Sequence, residues 1–148
     1  MKAKDIMTKD LTSVTETATL KKVEELLSRS RLSGIPVVDD EGKIIGYISE
    51  KDIIESAFPA LGMGTDMLFV RNWAKNFLRL SQVGESLVRD YMTREPVCVT
   101  EEASDFEIVE KMITNHRKVL PVIRDGKLVG IITRSNLTRA LMEKKEEQ

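Results

Sequence analysis

Apolar positions along this chain alternate between a helical spacing and short continuous runs, and the whole alternation is gone through twice. After Thr19, the residues Leu20, Val23, Leu26 and Leu27 share one face of a predicted amphipathic helix. Ser104 and Glu107 form a capping-box pattern ahead of the second such stripe, Ile108, Met112 and Ile113. The runs Ile35 to Val38 and Ile44 to Ile48 flank a Gly-containing turn, as do Leu120 to Ile123 and Leu128 to Ile132 around Asp125-Gly126, so each half predicts a hairpin. Short helices are expected after each hairpin, from about Lys51 to Ala57 and from Ser135 to Lys144. The charged tail Lys144-Lys145-Glu146-Glu147-Gln148 is expected to fray.

The two halves also match residue by residue. Asp5-Ile6-Met7-Thr8 returns 85 positions on as Asp90-Tyr91-Met92-Thr93, and Val14-Thr15-Glu16 as Val99-Thr100-Glu101. Ile35-Pro36-Val37-Val38 returns as Leu120-Pro121-Val122-Ile123. After a one-residue deletion in the turn, Gly42-Lys43-Ile44-Ile45-Gly46 returns as Gly126-Lys127-Leu128-Val129-Gly130. Two copies are too few for a solenoid, so a closed pair related by a pseudo-twofold axis is predicted, with a cleft along that axis. The division read from this is a first repeat over 1–57, an insertion or linker over 58–85 and a second repeat over 86–148.

Composition narrows the chemistry. The formal net charge of -1, from 23 basic and 24 acidic residues, leaves no footprint for nucleic acid. A single cysteine, Cys98, sits in an apolar run and predicts an inert thiol in a reduced compartment. No apolar run approaches the ~20 residues of a membrane span and no signal core follows Met1, so a cytoplasmic protein is expected. There is no Cys-His pair, metal-ligand spacing or Walker-type loop, which argues against an enzyme.

Taken in order and duplicated, the D-x-M-T opening, the helix, the apolar-Pro-Val-apolar strand, the acidic-Gly-Lys turn and the Gly-apolar-apolar-Ser/Thr-x-x-Asp/Asn ending resemble the cystathionine-beta-synthase (CBS) domain, and the pair resembles a Bateman module. The resemblance implies an α+β fold in which two β-α-β-β-α repeats pack through their sheets. It also implies a regulatory module that binds AMP, ADP, ATP or S-adenosylmethionine, needs no cofactor, forms a homodimer and signals to a partner enzyme or transporter. The competing reading is a structural dimerisation or adapter module with empty clefts.

The motifs Ser49-Glu50-Lys51-Asp52 and Thr133-Arg134-Ser135-Asn136 run from a strand into a helix start, where free N–H groups and a hydroxyl suit a phosphate. The resemblance assigns Asp52, and by position Asn136, to a ribose diol. Helix capping is the alternative role for all four Ser, Thr, Asp and Asn side chains. The resemblance also places Met7, Thr12 and Ile35 of the first repeat, and Met92, Val97 and Leu120 of the second, around a purine. Lys118 and Arg134, with His116 and Arg117 just upstream, predict that the second motif's cleft is the better phosphate site, whereas Glu50 opposes a phosphate at the first. His116 reads first as an exposed helix end.

The insertion holds Phe58, Phe69, Trp73 and Phe77, four of the seven aromatic residues. It predicts an amphipathic helix from Thr65 or Asp66 to about Leu80, with Gly62-Met63-Gly64 as a hinge and Arg71, Lys75 and Arg79 as a basic stripe. Core cover or a dimer contact is its leading role, with a lid or a partner surface behind.

Overall fold

A computed structural model describes residues 1–57 and 82–144. The insertion helix with Trp73, its glycine hinge and the end of the charged tail lie outside the described residues.

The order is α1 (Ala3–Ile6), α2 (Leu20–Ser30), β1 (Gly34–Val38), β2 (Ile44–Ser49) and α3 (Glu50–Ala57), then two 3-10 turns at Val83–Glu85 and Val88–Asp90. The second repeat continues with β3 (Val99–Thr100), α4 (Asp105–Thr114), β4 (Val119–Arg124), β5 (Lys127–Thr133) and α5 (Arg134–Glu143). Among the described residues, the helices and hairpins expected of each repeat are present. Thr19 and Ser104 cap α2 and α4 by accepting the N–H of Lys22 and Glu107. The carboxylate of Glu107 does not complete the expected box; it lies 3.7 Å from Lys111. Arg31 (58°), which caps α2, and His116 (52°), the residue after the Asn115 cap of α4, have positive φ at matching positions, and His116 is exposed just past the helix end as its sequence context suggests.

β1 and β2 pair antiparallel, as do β4 and β5, and both hairpins slip register at the same place, between Val37 and Val38 and between Val122 and Ile123. β3 adds a parallel third strand beside β4. In the first repeat the equivalent strand shrinks to one parallel bridge, Val14 to Val37. The two hairpin tips meet across the axis, where Ile44 N–H donates to Gly126 C=O and Leu128 N–H to Gly42 C=O.

Packing departs from the sequence division. Ala3 and Ile6 are buried with Val99, Ile108, Leu120 and Ile132 in the core of the second repeat. Val88 and Met92 are buried with Leu20, Val23, Ile35 and Ile48 in the core of the first. Backbone bonds follow the exchange: Ala3 N–H donates to Ala103 C=O (2.8 Å), and 85 residues later Val88 N–H donates to Ala18 C=O (2.8 Å). Each D-x-M-T segment therefore serves the other repeat's core. Burying a side chain such as Ile6 or Val88 contributes roughly 1.5–3 kcal/mol, so the crossing ties the halves together. A small third cluster, Tyr47 with Val119 and Ile131, fills the axis between the sheets.

Cys98 is half-buried; burial pushes its thiol pKa up against the opposing pull of Lys111. Among the described residues no helix is long and apolar enough to cross a membrane.

Candidate functional site

Each Ser/Thr-x-x-Asp/Asn motif joins the last strand of its repeat to the last helix. Ser49 N–H and Oγ both donate to Asp52 Oδ2 (3.0 and 2.9 Å), while Asp52 N–H donates back to Ser49 Oγ (3.2 Å). In the second motif Thr133 N–H donates to Asn136 Oδ1 (3.0 Å) and Asn136 N–H to Thr133 Oγ1 (3.1 Å). Both motifs are thus reciprocal helix caps. The caps consume one oxygen each, and what remains differs. Asp52 keeps Oδ1, which makes no hydrogen bond among the described residues and can only accept while ionised. Asn136 must turn its carbonyl oxygen to the Thr133 N–H, so it keeps an amide that can only donate.

The segment preceding each proline lies against its own motif: Glu50 N–H donates to Ser33 C=O (2.9 Å) and Arg134 N–H to Lys118 C=O (3.1 Å). The D-x-M-T segment arrives from the other repeat. Thr93 exchanges two backbone bonds with Tyr47 (2.8 and 2.9 Å), and Thr8 does the same with Ile131 (2.9 and 3.0 Å). This close approach explains the two strand glycines. A Cβ on Gly46 would stand 2.8 Å from Thr93 O, and one on Gly130 would stand 2.6 Å from Thr8 O.

One cleft, of about 480 Å³, opens where these pieces converge. That volume is in the range of small-molecule sites. Ser49 and Asp52 form one wall, with Ser33 and Tyr47; Thr93, Arg117 and Lys118 from the second repeat form the other. Arg117 lies over the Tyr47 ring, 5.6 Å from its centroid. Its Nε is buried without a hydrogen-bond partner. Burial pushes the Tyr47 hydroxyl pKa up to about 12, with Arg117 pulling it down and Asp52 pushing it further up. Tyr47 is therefore a neutral donor at physiological pH. Lys51 lies 3.7 Å from Glu55, which offsets its charge within the same cleft.

The basic residues expected together at the second motif are placed apart. His116, Arg117 and Lys118 line the cleft of the first motif, because the two sheets face each other and the segment entering β4 reaches across the axis to Tyr47. Arg134 points elsewhere, into a groove between α4 and α5 with Leu137 and Leu141. Met92 packs with Ile35, and Met7 and Val97 pack with Leu120, so the purine candidates are re-sorted between repeats. Ile35 and Leu120 are 0% exposed and serve the two cores. Thr12 turns inward on Asp10, donating both N–H (2.9 Å) and Oγ1 (2.6 Å) to the same carboxylate oxygen. Sequence reasoning missed Tyr47, Thr93 and Asn115 as lining residues. Tyr47 carried one legible signal, an aromatic residue where the second repeat has Ile131.

Comparison with known proteins agrees with this architecture. The model of the CBS domain matches residues 3–58 and again 88–143. The chloroplastic CBS domain-containing protein CBSX1 of Arabidopsis thaliana is 36% identical over 150 residues, covering 94% of this chain; this chain spans 63% of that relative's length. The uncharacterised protein MJ1426 of Methanocaldococcus jannaschii is 32% identical, with 96% of this chain and 92% of that protein covered. The crystal structure of CBSX2, an Arabidopsis thaliana protein, in complex with AMP superposes with a TM-score of 0.73 at 28% identity, covering 96% of each chain. With its two matched repeats, crossed openings and shared cleft, this chain belongs to the CBS domain family as a CBS pair.

Proposed function

We propose that this chain is a regulatory module that binds an adenosine-containing nucleotide in the cleft between the Ser49–Asp52 motif and Arg117 and Lys118, and signals its occupancy to a partner enzyme or transporter. The observation that carries this reading is the unpartnered, buried Nε of Arg117, a charged donor in a cleft that also holds the spare acceptor Asp52 Oδ1. A ribose diol donates to Asp52, and a phosphate accepts from Arg117 and Lys118 by charge-assisted bonds. The AMP bound by CBSX2 supports the same ligand class.

The charge of the cleft refines the choice among AMP, ADP, ATP and S-adenosylmethionine. Three cations, Lys51, Arg117 and Lys118, meet three carboxylates, Glu50, Asp52 and Glu55. A monophosphate suits that balance better than a triphosphate, and Arg117 disfavours a cationic sulfonium ligand. The second motif, with Thr133 and the amide of Asn136, is the lesser site in this reading.

Isothermal calorimetry with adenosine, AMP, ADP, ATP and S-adenosylmethionine tests it. AMP is expected to bind at least tenfold more tightly than adenosine. Arg117→Ala is expected to cost AMP about 2 kcal/mol, the worth of a hydrogen bond to a charged group. No binding of any of the five, together with an unchanged melting temperature, would replace the sensor with a structural adapter.

A further inference from the structure

The match between the repeats makes Tyr47 and Arg117, which meet in the first cleft, equivalent to Ile131 and Leu32. Leu32 packs against the axial cluster that contains Ile131, so an apolar contact stands where the first cleft has a cation over an aromatic ring. Lys118 in turn corresponds to Ser33. Neither cation of the first cleft has a charged equivalent.

A further difference lets the ring fit. Tyr47 pairs with Pro36 across the hairpin, and its phenol reaches diagonally over Gly34, where a Cβ would stand 2.4 Å from the hydroxyl oxygen. The equivalent of Gly34 is Val119, opposite the smaller Ile131. With the ring laid on the glycine, Arg117 takes its face, 5.6 Å from the centroid. Stacking uses the flat side of a guanidinium and leaves its N–H edge for an acceptor. The Nε of Arg117 is buried without such an acceptor, while its backbone N–H is fixed on Met112 C=O (3.0 Å). A guanidinium held in this way has already lost much of the rotamer freedom and water that binding an anion would otherwise remove.

We propose that Tyr47 is the positioning residue that confines phosphate recognition to the first cleft, its ring, seated on Gly34, holding the Arg117 guanidinium in place for the phosphate of an adenosine nucleotide. The ring needs the glycine, and the arginine needs the ring. This role rests on the nucleotide reading and acts through Arg117. Its mark is selectivity: without Tyr47 the preference for AMP over adenosine falls, and the hold on adenosine remains.

Calorimetry of the full chain with AMP and adenosine tests it. Wild type is expected to take up one AMP per chain. Tyr47→Ile, which installs the residue of the second repeat, is expected to weaken AMP about tenfold and adenosine less than about threefold, as loss of a desolvated cation–π contact would. Tyr47→Phe, which restores the ring, should recover AMP affinity to within about threefold of wild type. In an Arg117→Ala chain, adding Tyr47→Ile should cost AMP nothing further. Equal losses of AMP and adenosine, or a full further loss on the Arg117→Ala background, would make Tyr47 a direct ligand contact and overturn the proposal, as would two equal AMP sites per chain. Should Tyr47→Ile fail to fold, nitrogen-15 NMR of ligand-free wild type still decides: the Arg117 Nε–H should be protected from exchange with water and close to the Tyr47 ring, and a freely exchanging proton overturns the proposal. Wild type that binds neither ligand overturns the nucleotide reading and this role with it, whereas AMP affinity unchanged by Tyr47→Ile overturns the role alone.

Discussion

Asp52 and Asn136 stand at equivalent positions and make equivalent caps, yet one has a spare acceptor and the other a spare donor. That difference isolates ligand recognition from folding. Asp52→Asn retains a carbonyl oxygen for the Ser49 N–H, as Asn136 does for Thr133, while turning the free Oδ1 into an amide. The expected outcome is an AMP affinity about tenfold weaker, or roughly 1.4 kcal/mol, with a melting temperature close to wild type. Asn136→Asp, measured alongside, should leave the affinity at the first cleft unchanged. Calorimetry and a thermal melt on the same samples decide between this and a purely capping role, which predicts no change in affinity. The Ser/Thr-x-x-Asp/Asn spacing was plain in the sequence, whereas which oxygen the cap consumes required the atoms.

At the scale of elements, α1 shows how a short segment is held by a repeat to which it does not belong in sequence. Four residues form too little helix to persist alone. It is fastened by burial of Ala3 and Ile6, by the backbone bonds of Ala3 and Lys4 to Ala103 and Glu101, and by Glu102, which accepts from Lys2 and from Lys4. Those two lysines hold the Glu102 carboxyl at about 2, below its ordinary 4.5. Arg124 likewise lowers the pKa of Glu101. A depressed carboxylate stabilises the folded state above its ordinary value, and the contribution is lost as pH falls toward the folded-state value. Amide exchange of the Ala3–Met7 segment should therefore accelerate relative to β4 between about pH 4.5 and 2. Glu102→Gln should flatten much of that dependence. Glu102 and its two lysines are exposed, so the effect should be small and should fade with added salt.

On the scale of the molecule, the crossed openings make each half incomplete. A chain comprising 1–57 lacks Val88 and Met92, and one comprising 82–148 lacks Ala3 and Ile6, so each is missing part of its own core. Neither fragment is expected to unfold cooperatively alone, and an equimolar mixture should recover a cooperative denaturation transition by circular dichroism. Independent folding of either fragment would show that the exchange contributes little. The sequence by itself determined the local and repeated features: apolar spacing, caps at Thr19 and Ser104 and turn glycines are properties of neighbouring residues and survive without a partner, and the self-match at a spacing of 85 is read by alignment alone. It also contained Ser49, Asp52, Arg117 and Lys118 as candidates for chemistry. What it could not contain was their grouping, because Arg117 stands 65 positions beyond Asp52 and the pseudo-twofold axis alone brings them to one cleft. Tertiary structure likewise decided that Met7 serves the second core and Met92 the first, since a segment's core is chosen by which apolar surface lies within reach after the repeats have paired.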